Sequence, residues 1–165
     1  MPTTKRHQPR LIDTALHGDG RPVLLATFFS VPFDPAASVF AVDSAIEAGQ
    51  PLIVINIVEL APLPMSVRLG YDHIEDPPEI AAALRAPAEL ASSLGVNVER
   101  MLVKTPRPVT ALLEVIAERR PGLLVIGADP RSLSGRFYRR IRNAVRDRTE
   151  CLVWHAGAIE QSPTA

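Results

Sequence analysis

An apolar run, Leu123-Leu124-Val125-Ile126, ends in Gly127 and gives way to a polar loop and an arginine-rich helical pattern. A buried strand that closes on glycine and turns into a helix gathers main-chain N–H groups and a helix dipole at one point, which is how phosphate is held. Pro130 breaks into this loop and has no N–H to offer. From Arg131 to Arg148 stand seven arginines (131, 136, 139, 140, 142, 146 and 148) against one acid, Asp147, a surplus of six positive charges. Guanidinium forks grip phosphate or carboxylate through paired hydrogen bonds, so this stretch suits an anionic ligand or an acidic partner. The competing account is a solvated face whose arginine stems cover apolar surface. Nucleic acid fits less well. Only Phe137 and Tyr138 lie among these arginines, and Phe137 belongs to the helix's apolar stripe.

Other reactive side chains form no constellation. Cys151 is the only cysteine, so it forms no intramolecular disulfide, and its run Cys151-Leu152-Val153-Trp154 reads it as a small buried hydrophobe. Asp43, Glu47, Glu59, Asp72, His73, Glu75 and Asp76 show no spacing that fixes an acid–base pair. Asp72-His73 with Glu75-Asp76 could collect a metal, but a solvated loop accounts for them better, and no metal is expected. Ser30 has no strand–elbow motif around it. The chain is therefore expected not to be an enzyme.

The elements that must position the glycine corner follow from periodicity. Val23–Thr27 is a short apolar strand after Pro22. Asp34-Pro35 supplies an N-cap and first-turn proline, and Val39, Val42 and Ile46 set the buried face of a helix that Gly49 closes. Leu52–Val58 is a second strand. Ala61–Pro78, with four prolines, reads as a long loop. Pro78 opens a helix through Ile80, Leu84, Leu90 and Leu94 to Gly95, with Pro87 expected to kink it or mark its true start. Val96–Val103 alternates as an edge strand, and Val109, Leu112, Leu113 and Ile116 form an amphipathic helix stopped by Pro121-Gly122. Leu123–Ile126 is the fourth strand, Phe137, Ile141 and Val145 stripe the last helix, and Cys151–His155 is the fifth strand. Strict β-α alternation at this spacing demands a single open parallel sheet with helices on both faces, an α/β Rossmann-like fold. Residues 1–21 read as a flexible arm, 22–157 as the α/β domain and 158–165 as a flexible tail.

Composition agrees with one globular domain: 165 residues, 47% hydrophobic, 22% charged and formally neutral. Neutrality removes any global field toward nucleic acid or membrane. Lys5, Arg6 and Arg10 precede no apolar signal core, so a cytoplasmic location is expected. Abundant Pro, Ala and Arg with few Lys suggest a GC-rich bacterial genome.

In order and spacing, these segments resemble the universal stress protein family from Val23 to Trp154. Leu25-Ala26-Thr27-Phe28-Phe29-Ser30 is similar to the family's first strand and its Asp-Gly-Ser or Asp-Phe-Ser turn. Leu52–Glu59 is similar to its second strand, where a histidine often stands at Asn56. Lys104-Thr105-Pro106-Arg107-Pro108 resembles its turn into helix three, Leu123–Gly127 its fourth strand, and Glu150-Cys151-Leu152-Val153 the start of its last. The resemblance implies a five-stranded sheet ordered 3-2-1-4-5 and a homodimer through the last strand, Cys151–His155. Members that bind ATP or a related adenine nucleotide carry Gly-x-x-Gly, nine residues, then Gly-Ser or Gly-Thr. Here Gly127 matches the first glycine, Pro130 falls at the second, and counting puts the final pair at Arg140-Ile141, or Arg139-Arg140 with a loop one residue shorter. The nucleoside-contacting aspartate falls at Phe28, which either stacks a ligand or fills the vacated pocket with Phe29; Ile57 remains compatible with an adenine wall. The resemblance thus implies a stress-response or regulatory binding module that does not hold ATP in the usual way and takes no cofactor. The alternative is an adenine-nucleotide binder (ATP, AMP or cyclic AMP) with arginines in place of the glycine motif. Thr27, Phe28, Ile57, Gly127, Arg131 and Arg140 mark the candidate crevice.

Overall fold

A computed structural model describes residues 20–60 and 78–156. The expected arm and tail and the loop from Ala61, including the Asp72–Asp76 cluster, fall outside these residues, apart from the few at their margins. Nine elements alternate: β1 Val23–Phe28, α1 Pro35–Ala48, β2 Leu52–Glu59, α2 Pro78–Ser93, β3 Val98–Thr105, α3 Pro108–Arg119, β4 Leu123–Ile126, α4 Gly135–Arg148 and β5 Leu152–His155. The strands form one parallel sheet, as the alternation implies, in the order β3-β2-β1-β4-β5 that the resemblance implies. The winding reverses between β1 and β4, which pair Ala26 with Ile126, while on the other side β1 sets Thr27 beside Asn56 and Phe28 beside Ile57.

Successive strand residues face opposite sides, so β1 feeds two cores. Leu24, Ala26 and Phe28 pack with Leu112 and Ile116 of α3 and with Ile141 and Val145 of α4. Val23 and Leu25 pack with α1 and α2. Burial on both sides explains why β1 reads as an unbroken apolar run.

α1 starts and ends as its sequence dictates. Asp34 Oδ2 accepts from the Ala37 N–H at 3.1 Å, and Gly49, at φ 64°, closes the helix in the left-handed region. Its buried face differs from the one expected. Val39 and Ile46 are 48% and 46% exposed, and the sheet is met by Ala37, Ser38, Ala41, Val42 and Ala45. Small residues let the helix backbone approach the strands closely, and that outweighs the larger apolar residues. α2 runs through Pro87, which is buried within it, so Pro87 does not mark its start. Leu84, Ala88 and Ala91 face inward, whereas Leu94 lies past the helix end and is 54% exposed. β3 is the half-buried edge strand expected there, displaced two residues toward the C-terminus.

Candidate functional site at the β4–α4 corner

Gly127 stands where β4 leaves the sheet, and its surroundings require a glycine. A Cβ there would come within 2.5 Å of Leu25 Cδ1 and 2.6 Å of Phe33 Cδ1. Its N–H donates to the Ala26 carbonyl and its own carbonyl accepts from Asp34 N–H, each at 2.7 Å. The main-chain donor that a phosphate would need is therefore spent inside the fold. The glycine serves packing and chain reversal.

The first-strand candidates are likewise internal. Thr27 is fully buried, and its hydroxyl donates to the Val31 carbonyl at 2.6 Å. Ile57 is fully buried. Phe28 is fully buried too, its ring edge-on to Phe137 at 5.0 Å and 6.3 Å from Phe29. Phe29 stands 5.2 Å from Phe137, so three rings close the mouth between β1 and α4. Phe28 thus packs into the aromatic cluster at this mouth. Phe29 and Ser30 hold the left-handed conformation (φ 56° and 59°), and the turn is fixed by Val31 N–H to the Phe28 carbonyl at 3.0 Å. Buried Asn56 supports it, its side-chain oxygen accepting from Ser30 N–H at 3.3 Å.

The start of α4 places the counted motif pair within a helix. α4 begins at Gly135, with Ser134 as its N-cap accepting from Phe137 N–H at 3.2 Å. Arg140 and Ile141 are therefore inside the helix, Ile141 fully buried and Arg140 exposed, and neither stands at the corner. The helix starts at Gly135, five residues before Arg140. A glycine does occupy the helix start, with no atom within 4 Å of where its Cβ would be. Arg131 is exposed on the loop, its N–H held by Asp129 Oδ1 at 2.9 Å.

A cavity of about 400 Å³ opens beside this helix start, lined by Pro130, Leu133, Gly135, Tyr138, Arg139, Arg142, His155 and Ala156. Gly135, Tyr138, Arg139 and Arg142 follow i, i+3, i+4, i+7 spacing, one face of α4. Arg140 is rotated about 100° from Arg139, off that face. The cavity lies toward β5, displaced from the aromatic-filled mouth. Tyr138 anchors it by donating to the Ala128 carbonyl at 2.7 Å, and its ring meets that of His155 at 5.6 Å. Burial, aided by Asp129 and Asp34, pushes the Tyr138 hydroxyl up to about 12, so it stays protonated. Burial and then Arg142 hold His155 below its ordinary value. The cavity therefore offers two guanidinium groups and a histidine whose neutral form is favoured while the site is empty of anion. Sequence reasoning singled out Arg131 and Arg140 within the arginine-rich stretch and did not bring Arg142, Tyr138 and His155 together. Helical spacing from Gly135 could have signalled Tyr138 and Arg142, once Ser134 was read as the N-cap, but not His155 on β5.

Among the described residues no group of three His, Cys, Asp or Glu side chains could hold a metal, and no helix is long and apolar enough to cross a membrane.

Residues 21–155 match a model described as the universal stress protein family. A solved universal stress protein in complex with cAMP is 24% identical, with a TM-score of 0.55 over 83% of this chain and 96% of that one. A protein of the same family from Burkholderia pseudomallei is 17% identical, with a TM-score of 0.58 over 88% and 99%. A universal stress protein from Archaeoglobus fulgidus in complex with dAMP is 15% identical, with a TM-score of 0.51 over 82% and 96%. No curated protein sequence matches.

Proposed function

The chain belongs to the universal stress protein family, and on that premise we propose that it is a cytoplasmic, non-catalytic regulatory module that binds an adenine nucleotide through arginines. The observation that carries this reading is the 400 Å³ cavity beside Gly135, where Arg139 and Arg142 converge with His155. Its volume is at the small end of ligand pockets, suited to a mononucleotide. Two solved relatives hold cAMP and dAMP. The phosphate would take the guanidinium forks, and the start of α4 adds a favourable dipole. Because Phe28, Phe29 and Phe137 fill the β1–α4 mouth, the nucleotide would sit toward β5, and Mg²⁺-triphosphate would gain little over a monophosphate. The module would work as a homodimer paired along β5.

Calorimetric titration with AMP, cyclic AMP and ATP, with and without magnesium, tests the proposal. Saturable AMP or cyclic AMP binding is expected, weakened about tenfold, ~1.4 kcal/mol, by Arg139→Ala or Arg142→Ala and unchanged by Arg140→Ala. Affinity should rise as pH falls, since an anion favours protonated His155 and the linkage is reciprocal. Absence of saturable binding by all three nucleotides would overturn the reading.

A further inference from the structure

A second cavity, about 420 Å³, lies at the opposite, amino-terminal edge of the sheet. Arg21 precedes β1, Pro121 precedes β4 and Cys151 precedes β5, so the three chain entries meet there. Leu113, Ile116 and Ala117 of α3 supply an apolar wall, and Cys151, buried, lies on the strand side. Arg21, Arg120 and Arg148 stand around it with one acid, Glu150.

Helix capping would be the ordinary use of such arginines, because α3 and α4 both end here and their negative dipole ends attract cations. One end carbonyl of each helix is served by another group, however. Arg120's main-chain N–H donates to the Ile116 carbonyl at 2.8 Å, and Thr149 gives both its N–H and its hydroxyl to the Val145 carbonyl at 2.9 and 2.8 Å. Among the described residues the guanidinium groups of Arg120 and Arg148 make no hydrogen bond or ion pair, and Arg21 has only a 3.9 Å contact with Glu150 between two exposed side chains. Such an exposed pair is worth little. Arg120 also occupies a left-handed position, φ 49°, where glycine would be at ease. A side chain is kept on this rim at some conformational cost.

Charge decides the ligand class. Three guanidinium groups face one carboxylate and two helix ends worth roughly half a negative charge each. The surplus is about one positive charge, which suits a monoanion and not a polyphosphate. The apolar wall calls for an apolar body. We infer that the amino-edge cavity binds a small monocarboxylate with an apolar chain, its carboxylate held by Arg120 and Arg148 and its chain against Leu113, Ile116 and Cys151. Cys151 takes no covalent part: burial pushes its thiol up to about 11, leaving it neutral. The site shares no lining residue with the β4–α4 cavity, so it stands or falls apart from nucleotide binding.

The test is an NMR titration of the ¹⁵N-labelled full chain with octanoate, octanamide and inorganic phosphate. Octanoate should give saturable shifts at Ile116, Arg120 and Cys151, with octanamide and phosphate each about tenfold weaker or worse. Arg120→Gly fits the native backbone, so the variant should fold and lose octanoate affinity about tenfold; Arg142→Ala should leave it unchanged. No saturable octanoate shift, equal binding of octanamide or phosphate, or unaltered binding by Arg120→Gly would each overturn the inference.

Discussion

Gly127 and Gly135 stand eight positions apart in the same corner and do different work. The first is enclosed by Leu25 and Phe33 and has its N–H committed to the sheet; the second opens onto empty space. Only the second leaves main chain available to a ligand. Titratable side chains around the two cavities make a further distinction readable in solution. Cys151 is raised by burial from its ordinary 9.0 to about 11, and Tyr138 from 10.0 to about 12. Between each pair of values the unfolded chain has released a proton that the folded chain retains, so stability falls as pH rises from about 9 toward 12. His155 acts at the other end. Its value is lowered, so below 6.5 the unfolded state binds the proton first, and stability falls as pH drops. Urea denaturation across this range should show a plateau between roughly pH 7 and 9. Cys151→Ala should flatten the start of the alkaline decline, and an unchanged decline would refute the assignment.

Elements here obey end signals more faithfully than face signals. Asp34-Pro35, Gly49 and Ser134 each mark a helix boundary through a local hydrogen bond or backbone conformation. Pro87 is the exception: it sits inside α2 without an N–H for the Ala83 carbonyl. Pro87→Ala should restore that bond and raise stability by about 1 kcal/mol, part of the usual ~3 kcal/mol proline cost being offset by lost packing at a buried site and by a freer unfolded chain. Equilibrium urea unfolding would check it; a loss of stability would mean that Pro87's packing dominates. Strand runs, helix order and the parallel sense of the sheet were legible because each follows from local pattern and alternation, whereas the strand order was implied only by the family resemblance. The face of α1 was not, because alanines at positions 37, 41 and 45 win on fit against the sheet, which hydrophobicity alone does not encode. The residues at the corner were not legible for a similar reason. A fixed spacing places Arg140 there, whereas the N-cap geometry of Ser134 places Gly135 there and turns Arg139 and Arg142 toward His155.

At the scale of the whole molecule, the sheet is finished on one side and unfinished on the other. β3 is an edge carrying charge at Glu99, Arg100 and Lys104, and Glu99 is clamped at 2.8 Å by both terminal nitrogens of Arg119. Charge of this kind discourages strand addition. β5 has none of it: Leu152 is 70% exposed, and the run Leu152-Val153-Trp154 carries no charge. Trp154 is half-buried, stacked on Phe40 at 4.3 Å. Leu152 N–H donates inward to the Gly122 carbonyl, so by alternation Val153 and His155 aim their main-chain groups outward, where a second β5 would meet them. Val153→Pro removes one outward donor and leaves the inward bond of Leu152 intact, a change that an edge strand tolerates. Leu152→Lys adds a charge at the most exposed apolar position. Both variants should keep the fold and shift light-scattering mass from dimer to monomer. A wild-type monomer, or variants that stay dimeric, would exclude β5 as the interface. Since His155 belongs to this strand and also lines the β4–α4 cavity, pairing along β5 would bring the two cavities of a dimer toward a common seam. The same variants should then also weaken AMP binding if the seam helps enclose the ligand, and leave it intact if each protomer binds alone.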